Sequence, residues 1–177
     1  MDYSYYQKFI NTRTKGRSDA TPIFADPLTF NQLLIDLFVP FKDKKINKIV
    51  GLDALGFILG AALSSKYGMG FVPLRKGGKL PGAKNTLYSD SFIDYSSKRK
   101  TLEVRKRAIS KGDNILIVDD WMETGAQMRT AIKLVKKQKG NVIGIAVIFA
   151  EKNTKTMGLF GDYSLHSIGS SSLAKRT

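Results

Sequence analysis

Apolar positions in this chain alternate between short continuous runs and helical spacing. Asp26-Pro27 has the form of an N-cap followed by proline at the first helical position. Behind it Phe30, Leu33, Leu34, Leu37 and Phe38 recur every three or four residues, and Pro40 closes the segment. Residues 48–52 (KIVGL) then predict a short buried strand, and Leu55, Ile58, Leu59, Ala62 and Leu63 share one face of a helix over about 54–66. Residues 70–74 (GFVPL) predict another strand, which Pro73 should end or place near a sheet edge. Periodicity lapses over 75–100 and resumes at 101–108. The run 115–118 (ILIV) suits a central parallel strand. Met128, Ala131, Ile132 and Val135 mark a third helix with Gly140 as its C-cap, and 142–149 and 163–168 predict the last strands. Strands alternating with helices predict an α/β fold with a mainly parallel twisted sheet flanked by helices. The 75–100 stretch predicts a flexible lid, because so long an aperiodic segment inside a compact domain is usually functional. Residues 169–177 predict a loose tail.

Composition narrows the chemistry. At 177 residues the chain predicts a single domain, large enough to fold without a staple. With no cysteine and only His166 as histidine, thiol nucleophiles, cysteine-held clusters and multi-histidine metal centres are excluded. The longest apolar run, 142–150, is less than half of the ~20 residues a membrane helix needs. Residues 1–10 carry no signal-peptide pattern, so a cytoplasmic location is expected. Twenty-nine basic residues against 15 acidic ones give a net charge of +14, which attracts phosphorylated small molecules or nucleic acid. The same charge also fits a lysine-rich solvated surface.

One turn concentrates the candidate chemistry. In open α/β sheets ligands sit beyond the carboxyl ends of strands. The strand 115–118 leads into Asp119-Asp120-Trp121-Met122-Glu123-Thr124-Gly125-Ala126-Gln127, two carboxylates followed by a small-residue turn that opens a helix. Backbone N–H groups at that helix start, with the side chains of Thr124 and Gln127, suit a phosphate. Adjacent carboxylates suit sugar hydroxyls as donors. The combination fits a ribose 5-phosphate. It is not a Walker A loop, since no Gly-Lys-Ser/Thr follows.

Val118-Asp119-Asp120-x-x-x-Thr124-Gly125 resembles the phosphoribosyl-pyrophosphate (PRPP) signature of type I phosphoribosyltransferases. Residues 51–60 (GLDALGFILG) resemble their pyrophosphate-loop segment. Residues 71–82 (FVPLRKGGKLPG) are similar to the Arg-Lys-x-x-Lys-Leu-Pro-Gly segment of the adenine phosphoribosyltransferases, and Asp26-Pro27-Leu28-Thr29-Phe30 to the start of their first long helix. The resemblance implies a type I phosphoribosyltransferase fold with a small N-terminal hood (1–25) and a lid, and transfer of ribose 5-phosphate from PRPP to a purine, adenine foremost, with Mg2+. It implies that Asp119 and Asp120 hold the ribose hydroxyls directly or through metal-bound water. Glu123, Thr124, Gly125, Ala126 and Gln127 would bind the 5-phosphate. Asp53, Ala54, Leu55 and Gly56 would offer backbone donors to pyrophosphate, with Arg75, Lys76 and Lys79 neutralising its charge. A homodimer is implied in the same way.

Departures from the family pattern cluster at base recognition. Leu55 stands where the family has arginine. Ungapped spacing puts Ser96 and Ser97 at the lid's Glu-Tyr pair, with Asp94 and Tyr95 two residues earlier as substitutes. Arg17 stands where the family's adenine-packing aromatic is expected, leaving that aromatic missing unless the register shifts, and Trp121 is a second candidate for base contact. Tyr3, Tyr5, Tyr6 and Phe9 are expected to pack, and His166 to be structural. The same chemistry on another nucleobase therefore stays open, as does a PRPP-binding regulator that uses the basic surface on nucleic acid.

Overall fold

The computed structural model describes residues 1–11, 18–94 and 96–171. Its elements are α1 (Tyr3–Gln7), α2 (Thr21–Ala25), α3 (Pro27–Phe38), β1 (Lys48–Leu52), α4 (Leu55–Tyr67), β2 (Gly70–Lys76), β3 (Leu87–Ile93), β4 (Arg99–Arg105), β5 (Asn114–Met122), α5 (Ala126–Lys137), β6 (Asn141–Ala150), α6 (Met157–Asp162) and β7 (Leu165–Ser170). The strands form one seven-stranded sheet in the order β3-β4-β2-β1-β5-β6-β7. From β2 to β7 neighbours pair in parallel, and the β3–β4 hairpin joins antiparallel through Arg75↔Glu103 and Lys76↔Leu102.

Two apolar layers hold the sheet, as expected when both faces of a parallel sheet are covered. One packs α5 against Val50, Leu74, Leu102, Ile117 and Val147. The other packs α3 and α4 against Ile49, Leu116, Val118 and Ile148. Asp26 caps α3 as its sequence predicts, accepting from Thr29 N at 2.7 Å. The N-terminal aromatics do pack: Tyr6 is fully buried and the Tyr3 ring sits 5.2 Å from that of Phe149. His166 also has a structural place, on β7, with Nε2 3.1 Å from the Asp36 carbonyl.

Three expectations need correction. Pro73 neither ends β2 nor lies on an edge strand. It pairs with Gly51 of β1, and the β4 side of β2 is engaged only at Arg75 and Lys76, so the absent N–H removes no ladder bond. The aperiodic stretch holds a regular hairpin. Tyr88, Asp90 and Phe92 alternate toward the protein on β3, but a carboxylate in the middle of that face hides the period-two pattern. Asp90 stays partly exposed, and Lys133 of α5 reaches to 4.0 Å. Finally, Gly169 and Ser170 extend β7 opposite Phe149 and Ala150, which shortens the loose tail to a segment mostly outside the described residues.

Candidate active site

The sheet topology singles out one place for a ligand. From β1 the chain winds through α4 to β2 on one side, and from β5 through α5 to β6 on the other. The carboxyl ends of β1 and β5 thus form a topological switch point, where neighbouring connections diverge and leave a crevice. β1 pairs with β5 only as far as Gly51↔Val118. Beyond it β5 continues to Met122 along β6 alone, so Asp119 and Asp120 lie within the strand rather than after it.

A cavity of about 550 Å3 opens there. Asp119, Asp120, Trp121 and the turn residues Glu123, Thr124, Gly125, Ala126 and Gln127 all line it. From the turn after β1 come Asp53 and Ala54, from the start of α4 comes Leu55, and from β2 comes Lys76. The hairpin adds Phe92, Asp94, Ser96, Lys98 and Lys100. Arg75 and Lys79 do not line it: Arg75 Nε is 3.5 Å from Asp53 Oδ2, and its Nη1 donates to the Lys79 carbonyl at 3.2 Å. Gly56 is also off the wall, and serves packing instead. A Cβ there would sit 2.7 Å from the Val118 carbonyl oxygen and 3.1 Å from Asp119 Oδ1. Arg17 and Tyr95 lie outside the described residues.

Local geometry suits the turn to a phosphate. Gly125 has φ +69°, a left-handed conformation that glycine adopts without a Cβ penalty, and it is the N-cap of α5. The first-turn amides of α5 then face the cavity without an acidic residue in that turn, and a helix start of this kind favours an anion. Thr124 Oγ1 accepts from Ala126 N at 3.3 Å.

Asp119 is the electrostatic focus. It is 6% exposed, and Oδ1 accepts from Asp120 N at 3.0 Å while Oδ2 accepts from Gln127 Nε2 at 3.4 Å. Burial first, and then the Asp120 carboxylate, push Asp119 well above the usual carboxylate range; Lys76 pulls weakly the other way. Asp94 moves in the opposite direction, lowered chiefly by its hydrogen bond from Ser96. Its Oδ1 also accepts from Ser96 N and Lys98 N, so it ties the hairpin turn together.

The Asp119 shift carries a stability consequence. A carboxylate raised above its unfolded value holds its proton to higher pH in the native state, so stability is full below the unfolded value and declines as pH rises through the native one. Asp119→Asn removes that decline. Without substrate or metal its melting temperature should exceed that of the parent by a few degrees near pH 8, with the gap closing only as pH falls to the unfolded value of about 4. Thermal unfolding at the two pH values checks this, and a less stable variant near pH 8 would mean that Asp119 is charged and paired.

A family model described as "Phosphoribosyl transferase domain" matches residues 31–173. The chain belongs to the phosphoribosyltransferase family. Among curated relatives of this phosphoribosyltransferase, the adenine phosphoribosyltransferase of Dinoroseobacter shibae is 41% identical over 130 residues, covering 73% of this chain and 70% of the relative. That of Clostridium botulinum is 36% identical over 150 residues, 85% of each chain. The solved APRTase of Giardia lamblia, complexed with 9-deazaadenine, aligns with a TM-score of 0.83 at 30% identity, covering 97% of this chain and 99% of its own. The adenine phosphoribosyltransferase of Rhodothermus marinus gives 0.82 at 29% identity, covering 96% and 98%. The expected type I phosphoribosyltransferase fold is therefore the observed one. The contributions of Phe92, Lys98 and Lys100 to the cavity were not visible in the sequence, because they depend on where the hairpin folds.

Proposed function

We propose that this phosphoribosyltransferase transfers the 5-phosphoribosyl group of PRPP to a ring nitrogen of adenine. The new N–C1 bond forms as the C1–O bond to pyrophosphate breaks, and the products are the nucleoside monophosphate and pyrophosphate. The observation that carries the reading is one cavity holding the Asp119–Asp120 pair and the Gly125–α5 phosphate cradle side by side. Relatives named adenine phosphoribosyltransferase support adenine as the base.

Each residue has a task that follows from its place. Amides at the start of α5, with Thr124 and Gln127, hold the 5-phosphate and fix the register of the sugar. Asp120 accepts from the ribose hydroxyls, and its charge favours the cationic ring that develops as pyrophosphate departs. Lys76, whose Nζ is 4.0 Å from Asp53 Oδ1, faces the leaving group. Arg75 and Lys79 join it once Arg75 exchanges Asp53 for a phosphate oxygen. Trp121 lines the cavity while its ring stacks on Phe149, centroids 5.0 Å apart and planes at 22°, which makes it a rigid platform for the base. The hairpin closes over the cavity and keeps water from the sugar cation.

The donor set suits Mg2+. No cluster of three or more potential ligands occurs among the described residues, yet Mg2+ is typically held by one or two carboxylates plus substrate oxygens. Asp119 and Asp120 would hold it, through water. When bound it offsets charge on pyrophosphate and orients the ribose hydroxyls. A homodimer, which the family resemblance implies, and a cytoplasmic location complete the reading; among the described residues no helix is long and apolar enough to cross a membrane.

Pyrophosphate release from PRPP and Mg2+ across a panel of purine and pyrimidine bases tests the proposal. Release with adenine well above every other base is the expected result. Release with a different base would move the substrate. No release with any base, with PRPP binding retained, would overturn the enzymatic reading in favour of a regulator.

A further inference from the structure

A second concavity, about 360 Å3, lies where the root of the β3–β4 hairpin meets the C-terminal end of α5. Tyr88 of β3, Lys106 and Arg107 just past β4, and Lys137, Gln138 and Lys139 at the end of α5 line it, and no carboxylate does. Lys137 Nζ and Lys106 Nζ stand 4.8 Å and 5.2 Å from the centroid of the Tyr88 ring. Among the described residues none of the four cations forms an ion pair. The half-charge of a helix C-terminus accounts for a cation or two on α5, not for Lys106 and Arg107 converging from another element.

Gln138 supplies an independent sign. It is 8% exposed; its Oε1 accepts from Ile109 N at 3.5 Å, and its Nε2 is buried with no hydrogen-bond partner among the described residues. Buried donors are nearly always paired; a turn of the Gln138 side chain toward the concavity would bring this one to an acceptor on a ligand. Four exposed like charges at the rim of the concavity attract an anion of several charges more strongly than a singly charged one. Two ammonium groups already engage the Tyr88 ring, so recognition falls on phosphates rather than on a stacked base. The volume is that of a small-molecule pocket.

We infer that this concavity binds the phosphate chain of a small polyphosphorylated ligand. The ligand would bridge the hairpin that brings Phe92, Lys98 and Lys100 to the catalytic cavity and the helix whose opposite end carries the phosphate cradle.

Titration of 15N-labelled protein with sodium tripolyphosphate, followed by NMR, separates the two anion sites. Saturable shifts are expected at the Gln138 side-chain amide, Arg107 and Lys139, beside independent shifts at Gly125 and Gln127. The double variant Lys137→Glu/Lys139→Glu should weaken the first set roughly tenfold or more while sparing the second, which also shows that the variant is folded. Shifts confined to Gly125 and Gln127, or shifts at Gln138 that survive the double variant, would overturn the site. Tighter binding of an oligothymidylate than of tripolyphosphate at Gln138 would overturn the small-ligand assignment and make the surface a nucleic-acid contact.

Discussion

Asp120→Asn should lower kcat by roughly 100–1000-fold while leaving the melting temperature within a degree or two of the parent. Asn keeps the size of the side chain and one acceptor oxygen, so sugar hydroxyls still find a partner. What is lost is the negative charge beside a ring that becomes cationic only as pyrophosphate leaves, and an interaction made chiefly in the transition state acts on kcat rather than on KM. Asp120 is half-buried on the cavity wall, while Asp119 lies deeper with two donors already on its oxygens. The two acids therefore divide the work. In the proposed reaction Asp120 would meet the ribose, while Asp119, which burial and the Asp120 carboxylate push toward its protonated form, would lend its oxygens deeper in the site. Steady-state kinetics with saturating Mg2+ checks the result. Unchanged kcat and KM would remove Asp120 from the ribose site, and a rise in KM with kcat intact would make it a ground-state contact only.

How much of this could be read from the chain depended on sequence distance. The acids and the phosphate turn are contiguous, one strand end and one helix start, so spacing alone placed Asp119 through Gln127 together, and the cavity contains them all. β1 and β6 were legible for a similar reason, since their apolar runs are buried almost throughout, whereas α4, read from its helical spacing, buries Leu59 and Leu63 but leaves Ile58 42% exposed. Arg75 shows the opposite case. Its motif was readable, but its side chain turns to Asp53, 22 residues away in the chain and brought alongside by the β1–β2 pairing, so it lies off the cavity wall. The hairpin was illegible because β3 spends an inward position on Asp90, which stays partly exposed, accepts from Ser91 N and lies near Lys133 on a helix 43 residues later. Helices α1 and α2, five residues each, are shorter than the window in which a helical period declares itself.

The prediction with the largest joint effect on stability and activity lies at a residue with no functional group. Gly56→Ala should destabilise the fold by about 1–3 kcal/mol and cost on the order of 100-fold in kcat/KM. The first turn of α4 passes so close to β5 that a Cβ on Gly56 meets the Val118 carbonyl at 2.7 Å and Asp119 Oδ1 at 3.1 Å. Backbone oxygen cannot rotate aside as a side chain can. Either α4 withdraws from the sheet or Val118 and Asp119 shift, and both routes move catalytic groups. Withdrawal carries the Ala54–Leu55 wall outward, because Leu55 opens the same helix. A shift of β5 displaces the Asp119 carboxylate and breaks its bond from Asp120 N. Gly60 on the same helix gives the contrast that isolates this effect. Its Cβ would meet the far edge of the Phe71 ring at 2.7 Å, a side chain able to yield, and Gly60 lines no part of the cavity. Gly60→Ala should therefore lose stability with kcat/KM nearly unchanged. Chemical denaturation and steady-state kinetics on the two variants test the distinction. Equal losses of activity would show that α4 transmits strain along its length, and full activity in Gly56→Ala would show that the Asp119 position tolerates more movement than ribose binding should allow.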